Sequence, residues 1–157
     1  RIIIGRDISL TEEQSVEVIE TNLDDWSPEG FPYLCELLFD NGALDVTLYP
    51  IHMKKGRAGF SLQVISSPAS AHLLKDIVLS ETTALGLRFR KESRRTLQRE
   101  KVEVMTQWGN ITAKKVRTPA GTVIYPEYEE CRKIALGFKV PLQEVYSEVR
   151  KNRKEAQ

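Results

Sequence analysis

The chain has 157 residues, 41% of them hydrophobic and 29% charged, with a formal net charge of +1. That balance belongs to a soluble globular protein able to bury a core, and it excludes a disordered or fibrous chain and a wholesale nucleic-acid binder. No apolar run approaches bilayer-spanning length and no signal-peptide pattern is visible; the two cysteines, Cys35 and Cys131, make no disulfide framework, so a reducing cytoplasm is expected.

The chain opens on Arg1, and RIIIG reads as a strand without partners, so residues 1–14 are expected to be a linker from a missing N-terminal domain. SVEVIET then alternates like a strand. Ser27, followed by Pro28 and Glu29, reads as the cap of a first helix whose apolar positions Phe31, Leu34, Cys35 and Leu38 follow helical spacing, and Asn41-Gly42 stops it. ALDVTLYPI is the second strand, HMKKGRAG a glycine-containing connection, and FSLQVIS the third strand. Ser67-Pro68 opens a second helix carrying Leu73, Leu74, Ile77 and Val78. LGLRFRKES reads as the fourth strand, with Leu85, Leu87 and Phe89 on one face and Arg88 and Arg90 on the other.

The order βαββαβ predicts an α+β, ferredoxin-like sandwich over residues 15–95, its first and third strands central and both helices on one face. Residues 96–157 are expected to form a small α/β lobe. In it, KVEVMT and NITAKKV make a hairpin around Gln107-Trp108-Gly109, and GTVIYP leads into a helix with Tyr128, Cys131, Ile134 and Ala135 inward. Gly137 is expected to end that helix. A last helix carries Leu142, Val145, Tyr146 and Val149, and its charged tail is expected to fray.

Three stretches hold side chains suited to chemistry. Asp24 and Asp25 are surplus to the helix start; hard oxygen ligands of this kind suit Mg²⁺ or Mn²⁺ with phosphate completing the shell, though on pattern alone a helix dipole and solvent account for them more simply. Lys54, Lys55 and Arg57 surround Gly56 and Gly59, as a phosphate grip or as a solvated hairpin tip. Glu81, Thr82 and Thr83 precede a strand whose Arg88 and Arg90 match phosphate or carboxylate, or a salt-bridged solvent face. His52 and His72 are isolated, and no nucleophilic triad or Cys-x-x-Cys is present. The βαββαβ order is shared with RNA-recognition motifs, but the positions where bases would stack hold Ile19, Arg57, Gly59 and Leu62 in place of aromatics.

ETNLDDWSPEG, LFDNGALDV, PIHMKKGRAG, ETTALGLR, RRTLQRE and PEYEECRKIA…VPLQEVY, in that order, resemble the C-terminal domain of the nickel insertion protein family, over about Val16 to Tyr146. The resemblance implies a nickel chelatase, a lyase, that uses CTP to place Ni²⁺ into pyridinium-3,5-bisthiocarboxylic acid mononucleotide, forming the nickel-pincer cofactor of lactate racemase. It implies that this domain binds CTP with Mn²⁺ (or Mg²⁺) and forms a homo-oligomer, beside an N-terminal domain and a histidine-rich stretch that the sequence lacks. Carried onto these positions, it makes Asp24 and Asp25 the metal ligands. The nucleotide-binding residues become Lys54, Lys55, Arg57, Glu81, Thr82, Thr83, Arg88 and Arg94, and no general base is assigned. A non-catalytic oligomerisation module of the same protein and an RNA-binding module are the alternatives; no membrane partner is expected.

Overall fold

A computed structural model of the chain describes residues 11–151. The opening RIIIG, the expected linker as far as residue 10 and the tail from residue 152 lie outside the described residues. Two compact units are present, one spanning Glu13–Arg94 and one built on residues 95–151.

The first unit runs β1 (Thr11–Leu23), α1 (Phe31–Asp40), β2 (Ala43–His52), β3 (Ala58–Ser66), α2 (Ala71–Glu81) and β4 (Arg88–Leu97). Its sheet order is β2-β3-β1-β4, the ferredoxin-like arrangement expected from the βαββαβ order. Register fixes which side chains meet. Ile19 faces Val64 across the β1–β3 ladder, Thr21 faces Leu62, and Leu23 faces Phe60. Ile19, Leu23, Leu62 and Val64 therefore share one face, where they pack with Leu34 and Leu38 of α1 and Leu74 and Val78 of α2. The intervening residues Glu20, Asn22, Ser61 and Gln63 point to the opposite, helix-free face. Ile19 and Leu62 are thus core residues, and the helix-free side of the central strands is polar where RNA-recognition motifs carry aromatics.

Local chemistry departs from expectation in two places. The Ser27 side chain makes no capping bond; a 3-10 turn over Pro28–Gly30 leads into α1, and the Ser27 carbonyl accepts from the Gly30 amide at 3.2 Å. The helix ends as expected, with the Asn41 side-chain amide donating to Leu37 O at 2.8 Å and Gly42 at φ +94°. β4 begins later than LGLRFRKES suggests. Leu85 is fully exposed, only Leu87 packs against the core, and Phe89 lies under the Lys75 ammonium, 3.6 Å from its ring centre.

The second unit is a three-stranded antiparallel sheet, β5 (Arg99–Thr106), β6 (Gly109–Thr118) and β7 (Gly121–Pro126), with α3 (Tyr128–Phe138) and α4 (Leu142–Lys151). Both of its hairpins use one device. In TQWG and TPAG the threonine hydroxyl donates to the glycine carbonyl, at 2.7 Å and 2.6 Å, and each glycine takes a positive φ. Val104, Ile111, Ala113 and Ile124 of the sheet meet Cys131 of α3 and Val145 and Val149 of α4. Tyr128, expected inward, is exposed. Gly137 lies within α3, and the helix ends instead at Lys139, held left-handed at φ 55°.

Leu38, with no exposed surface, should be among the costliest truncations of the first unit. Leu38→Ala is expected to lower stability by about 2–5 kcal/mol, read as a shift in the guanidinium midpoint.

Candidate functional site

One end of the first sheet gathers most of the expected residues. Where β1 finishes at Leu23, β3 is beginning at Ala58–Phe60, and the two backbones nearly touch. A Cβ added at Gly59 would lie 2.5 Å from the Leu23 carbonyl oxygen, 2.9 Å from the Met53 sulfur and 3.3 Å from the Asp24 Cα. Only glycine fits, so Asp24 leaves the sheet directly beside the β2–β3 connection. That connection is a tight turn closed by Met53 N–H donating to Arg57 O at 2.7 Å. Lys55 (φ 63°) and Gly56 (φ 70°) are both left-handed. For lysine this conformation costs roughly 1–2 kcal/mol, strain of the kind found at ligand-binding turns.

Across this junction Arg57 Nη1 pairs with Asp24 Oδ2 at 2.8 Å. That hydrogen bond, helped through space by Arg57 and Lys54, holds the Asp24 carboxyl below its ordinary range against a smaller opposing effect of desolvation. Thr83, in the segment between α2 and β4, donates its hydroxyl to Asp25 Oδ1 at 2.5 Å. The structure thus brings Asp24, Asp25, Lys54, Arg57 and Thr83 to one end of the sheet, with Lys55 exposed on the same turn. Thr82 has a local task. Its hydroxyl donates to Val78 O at 2.6 Å and accepts from Ala84 N–H at 3.2 Å, closing the end of α2. Glu81 is exposed at the end of α2, and its side chain makes no hydrogen bond or ion pair among the described residues.

Among the described residues neither Arg88 nor Arg94 pairs with Asp24 or Asp25. Arg88 lies on the helix-free face, 3.4 Å from both Glu20 Oε2 and Asn22 Oδ1. Arg94 lies farther along β4, a strand distance of roughly 20 Å from Arg88 at the usual rise per residue. Glu20 is the hub of the helix-free face, accepting from Gln63 Nε2 at 3.0 Å and also from Arg90, whose other guanidinium edge pairs with Glu92 at 2.6 Å. These bonds neutralise Arg88 and Arg90 internally, the salt-bridged alternative of the sequence reading.

Among the described residues, no group of three or more His, Cys, Asp and Glu side chains could hold a metal ion. Asp24 and Asp25 offer hard oxygen donors, the type of ligand Mg²⁺-type ions take, and each carboxylate has one of its oxygens engaged, by Arg57 and by Thr83. They do not fit an all-protein cage. Desolvation pushes the Cys35 and Cys131 thiols up, so both stay protonated at neutral pH and are poor soft-metal ligands. His72 pairs with Asp76 one helical turn away.

Sequence reasoning missed a cleft of about 460 Å³ beside Asp24, lined by Trp26, Pro50, Ile51, His52, Gly59 and Phe60 among others. Trp26 and His52 flank the acidic and basic motifs in sequence. Their convergence depends on the Leu23–Phe60 register, which composition does not reveal.

A family model described as nickel insertion protein matches residues 1–146. A protein of Desulfotalea psychrophila that bears the family's name is 58% identical over 149 residues, covering 95% of this chain and 38% of the relative. The pyridinium-3,5-bisthiocarboxylic acid mononucleotide nickel insertion protein of Clostridium acetobutylicum is 41% identical, over 96% of this chain and 36% of its own length. The chain therefore spans less than two fifths of these curated relatives. Among solved structures, LarC2, the C-terminal domain of a cyclometallase involved in the synthesis of the NPN cofactor of lactate racemase, superposes with a TM-score of 0.82 at 34% identity. That match covers 87% of this chain and 95% of LarC2. A Methanopyrus kandleri protein at 21% identity shares the fold, with a TM-score of 0.65.

The Glu20 hub sets an acid limb. The Gln63 hydrogen bond, with Arg90 and Arg88, holds its pKa below the ordinary 4.5, outweighing the opposing effect of burial. A carboxylate depressed in the folded state stabilises the fold at neutral pH, and that contribution is lost as pH falls through the folded value. Urea midpoints measured between about pH 6 and about pH 3 should fall for the wild type, and Glu20→Gln should start lower and flatten the limb.

Proposed function

The chain belongs to the nickel insertion protein family, and from that premise we propose that it serves insertion of Ni²⁺ into pyridinium-3,5-bisthiocarboxylic acid mononucleotide by binding a divalent-metal complex of CTP. The observation that carries this reading is the convergence of Asp24, Lys54 and Arg57, with Asp25 and Thr83, at one end of the ferredoxin-like sheet. A triphosphate escorted by Mn²⁺ or Mg²⁺ needs both hard oxygen donors and cations, and this junction supplies both.

In the free protein Arg57 holds Asp24, and both side chains keep contact with solvent. An exposed pair of this kind contributes little to stability, so it exchanges readily. On binding, Arg57 turns its guanidinium to phosphate while Asp24 and Asp25 take the ion; Lys54 and Lys55 neutralise further phosphate oxygens. Thr83 orients Asp25 and Thr82 fixes the segment that carries it. Glu81, Arg88 and Arg94, which lie outside this cluster of contacts, have at most peripheral parts in nucleotide binding. Ni²⁺ is cargo in this scheme, and the coupling of CTP hydrolysis to metalation belongs to the longer protein with its N-terminal domain. Assembly into a homo-oligomer is part of the same proposal, supported by the exposed apolar side chains Tyr33 and Phe39 of α1 and Leu44 of β2.

Calorimetric titration with CTP and with ATP, each with and without Mn²⁺, tests the reading. Binding is expected for CTP only when Mn²⁺ is present. Lys54→Ala and Asp25→Ala should each weaken it about tenfold or more, the loss expected for a hydrogen bond to a charged group. Equal heats for the two nucleotides, or unchanged affinity in both variants, would overturn it.

A further inference from the structure

The second unit carries a group of cations that the nucleotide reading leaves unused. At the end of its sheet where β5 begins, the β5–β6 register sets Lys115 opposite Glu100, and Arg117, two residues on, shares that side of the strand. The Arg117 amide donates to Gln98 O at 3.1 Å, which carries the pairing one step past β5. These side chains line a pocket of about 220 Å³, together with Arg99 at the first residue of β5 and Glu12 of β1. Glu12 clusters with this unit.

The charges in this pocket are poorly answered. Lys115 is the most enclosed, with 18% of its side chain exposed, and among the described residues its ammonium pairs with Glu100 alone, at a loose 3.4 Å. Desolvation penalises such an ammonium more than one distant carboxylate compensates. Glu100 itself is 56% exposed and has room to swing into solvent. Arg99 and Arg117 are exposed and make no side-chain hydrogen bond or ion pair among the described residues. Three cations thus face two carboxylates, Glu100 and Glu12.

We propose that this pocket binds a small inorganic oxyanion of the phosphate class, phosphate or pyrophosphate, held by Lys115, Arg117 and Arg99. Guanidinium forks match the paired oxygens of phosphate, and the Lys115 ammonium gains the close charged partner that Glu100 does not supply. The Gln98 side-chain amide adds a donor. Size and lining exclude a ring-bearing ligand. The pocket falls below the roughly 300–1,000 Å³ of ordinary small-molecule sites, and its walls hold no aromatic side chain. On binding, the oxyanion takes the place of Glu100 beside Lys115, and Glu100 turns to solvent. A ligand held only by the folded unit stabilises it by mass action, so the second unit becomes sensitive to the concentration of inorganic phosphates. None of these residues belongs to the 54–57 turn, so either site stands without the other.

The test is calorimetric titration of the full chain with sodium phosphate and with sodium pyrophosphate, at an ionic strength held constant with sodium chloride. Because the 54–57 turn can also take phosphate, each titration is repeated on Lys54→Ala. Saturable binding of at least one anion is expected in both proteins, and the tighter anion is the one the pocket takes. In the Lys54→Ala background, Arg117→Gln should weaken it about tenfold, the loss expected for a hydrogen bond between charged groups. Glu100→Gln should instead tighten it about threefold, because the carboxylate competing for Lys115 is gone. Both substituted side chains are exposed, and effects of opposite sign separate binding from a structural role. Thermal unfolding gives a second readout: the bound anion raises the midpoint, and Arg117→Gln diminishes that rise. An affinity unmoved by Arg117→Gln, or a Glu100→Gln protein that binds no more tightly, overturns the site. Binding lost in Lys54→Ala alone keeps the 54–57 grip and removes this pocket.

Discussion

The close approach of two backbones at Gly59 governs the rest of the site. Because the Leu23 carbonyl and the Met53 sulfur occupy the space a side chain would need, the end of β1 and the start of β3 can lie together only with glycine at this position. That convergence places the acidic turn against the basic one without requiring either to be long or specially shaped. The Leu23–Phe60 pair closes a ladder that runs unbroken from Glu17–Ser66, and Phe60 lines the cleft next to Gly59. A strand pair splayed by one side chain would leave Asp24 and Arg57 as two unrelated surface charges. The meeting of the two charged turns therefore depends first on a packing fact about a residue with no side chain.

Much of the architecture is legible in the sequence because period and punctuation agree. Alternation in SVEVIET, the helical spacing of Leu34 and Leu38 and the Asn41-Gly42 stop each have a single physical reading, and together they dictate βαββαβ. What period cannot resolve is where an element yields to a turn. Leu85 looks like an inward strand residue and is wholly exposed, because the segment from Thr82 to Leu87 is tied down by the Thr82 hydroxyl and by Thr21, whose hydroxyl donates to Gly86 O at 2.8 Å. Lys139, left-handed where Gly137 seemed the natural stop, is a similar case. The helix retains its glycine and turns at the lysine, whose neighbour Val140 donates back to Ala135 O at 3.1 Å. Pair identities at the site were partly legible. Opposite charges near strand ends suggested a meeting, but choosing Arg57 over Arg88 for Asp24 requires register, and Trp26 and His52 carry no local signal at all.

Two electrostatic environments in the first unit are built on different terms. On the helix-free face, Glu20 is largely shielded and receives an amide and two guanidinium groups, so its charge is fully answered within the fold. At the sheet end, Asp24 has one strong partner and Asp25 a single hydroxyl, and the neighbouring Lys54 and Lys55 are exposed. A site that must accept a polyanion and its counter-ion benefits from charges that are ordered yet exchangeable. A closed network offers ligands nothing, since each new contact replaces an old one of equal quality.

That difference also bears on which surface of a ferredoxin-like sheet is used. The helix-free face is the customary place for ligands in RNA-binding versions of this topology, where aromatic side chains on the central strands provide the platform. Here those strands present Glu20, Asn22, Ser61 and Gln63, and the aromatic residues Trp26 and Phe60 sit instead at the sheet's end, bordering the two charged turns. A single nucleic-acid strand laid across the face would meet an ion-paired network; a small ligand entering at the end meets an apolar wall and unspent charge in succession. The order of elements is shared with the RNA binders, but its central strands carry polar and ion-paired side chains where those carry aromatics.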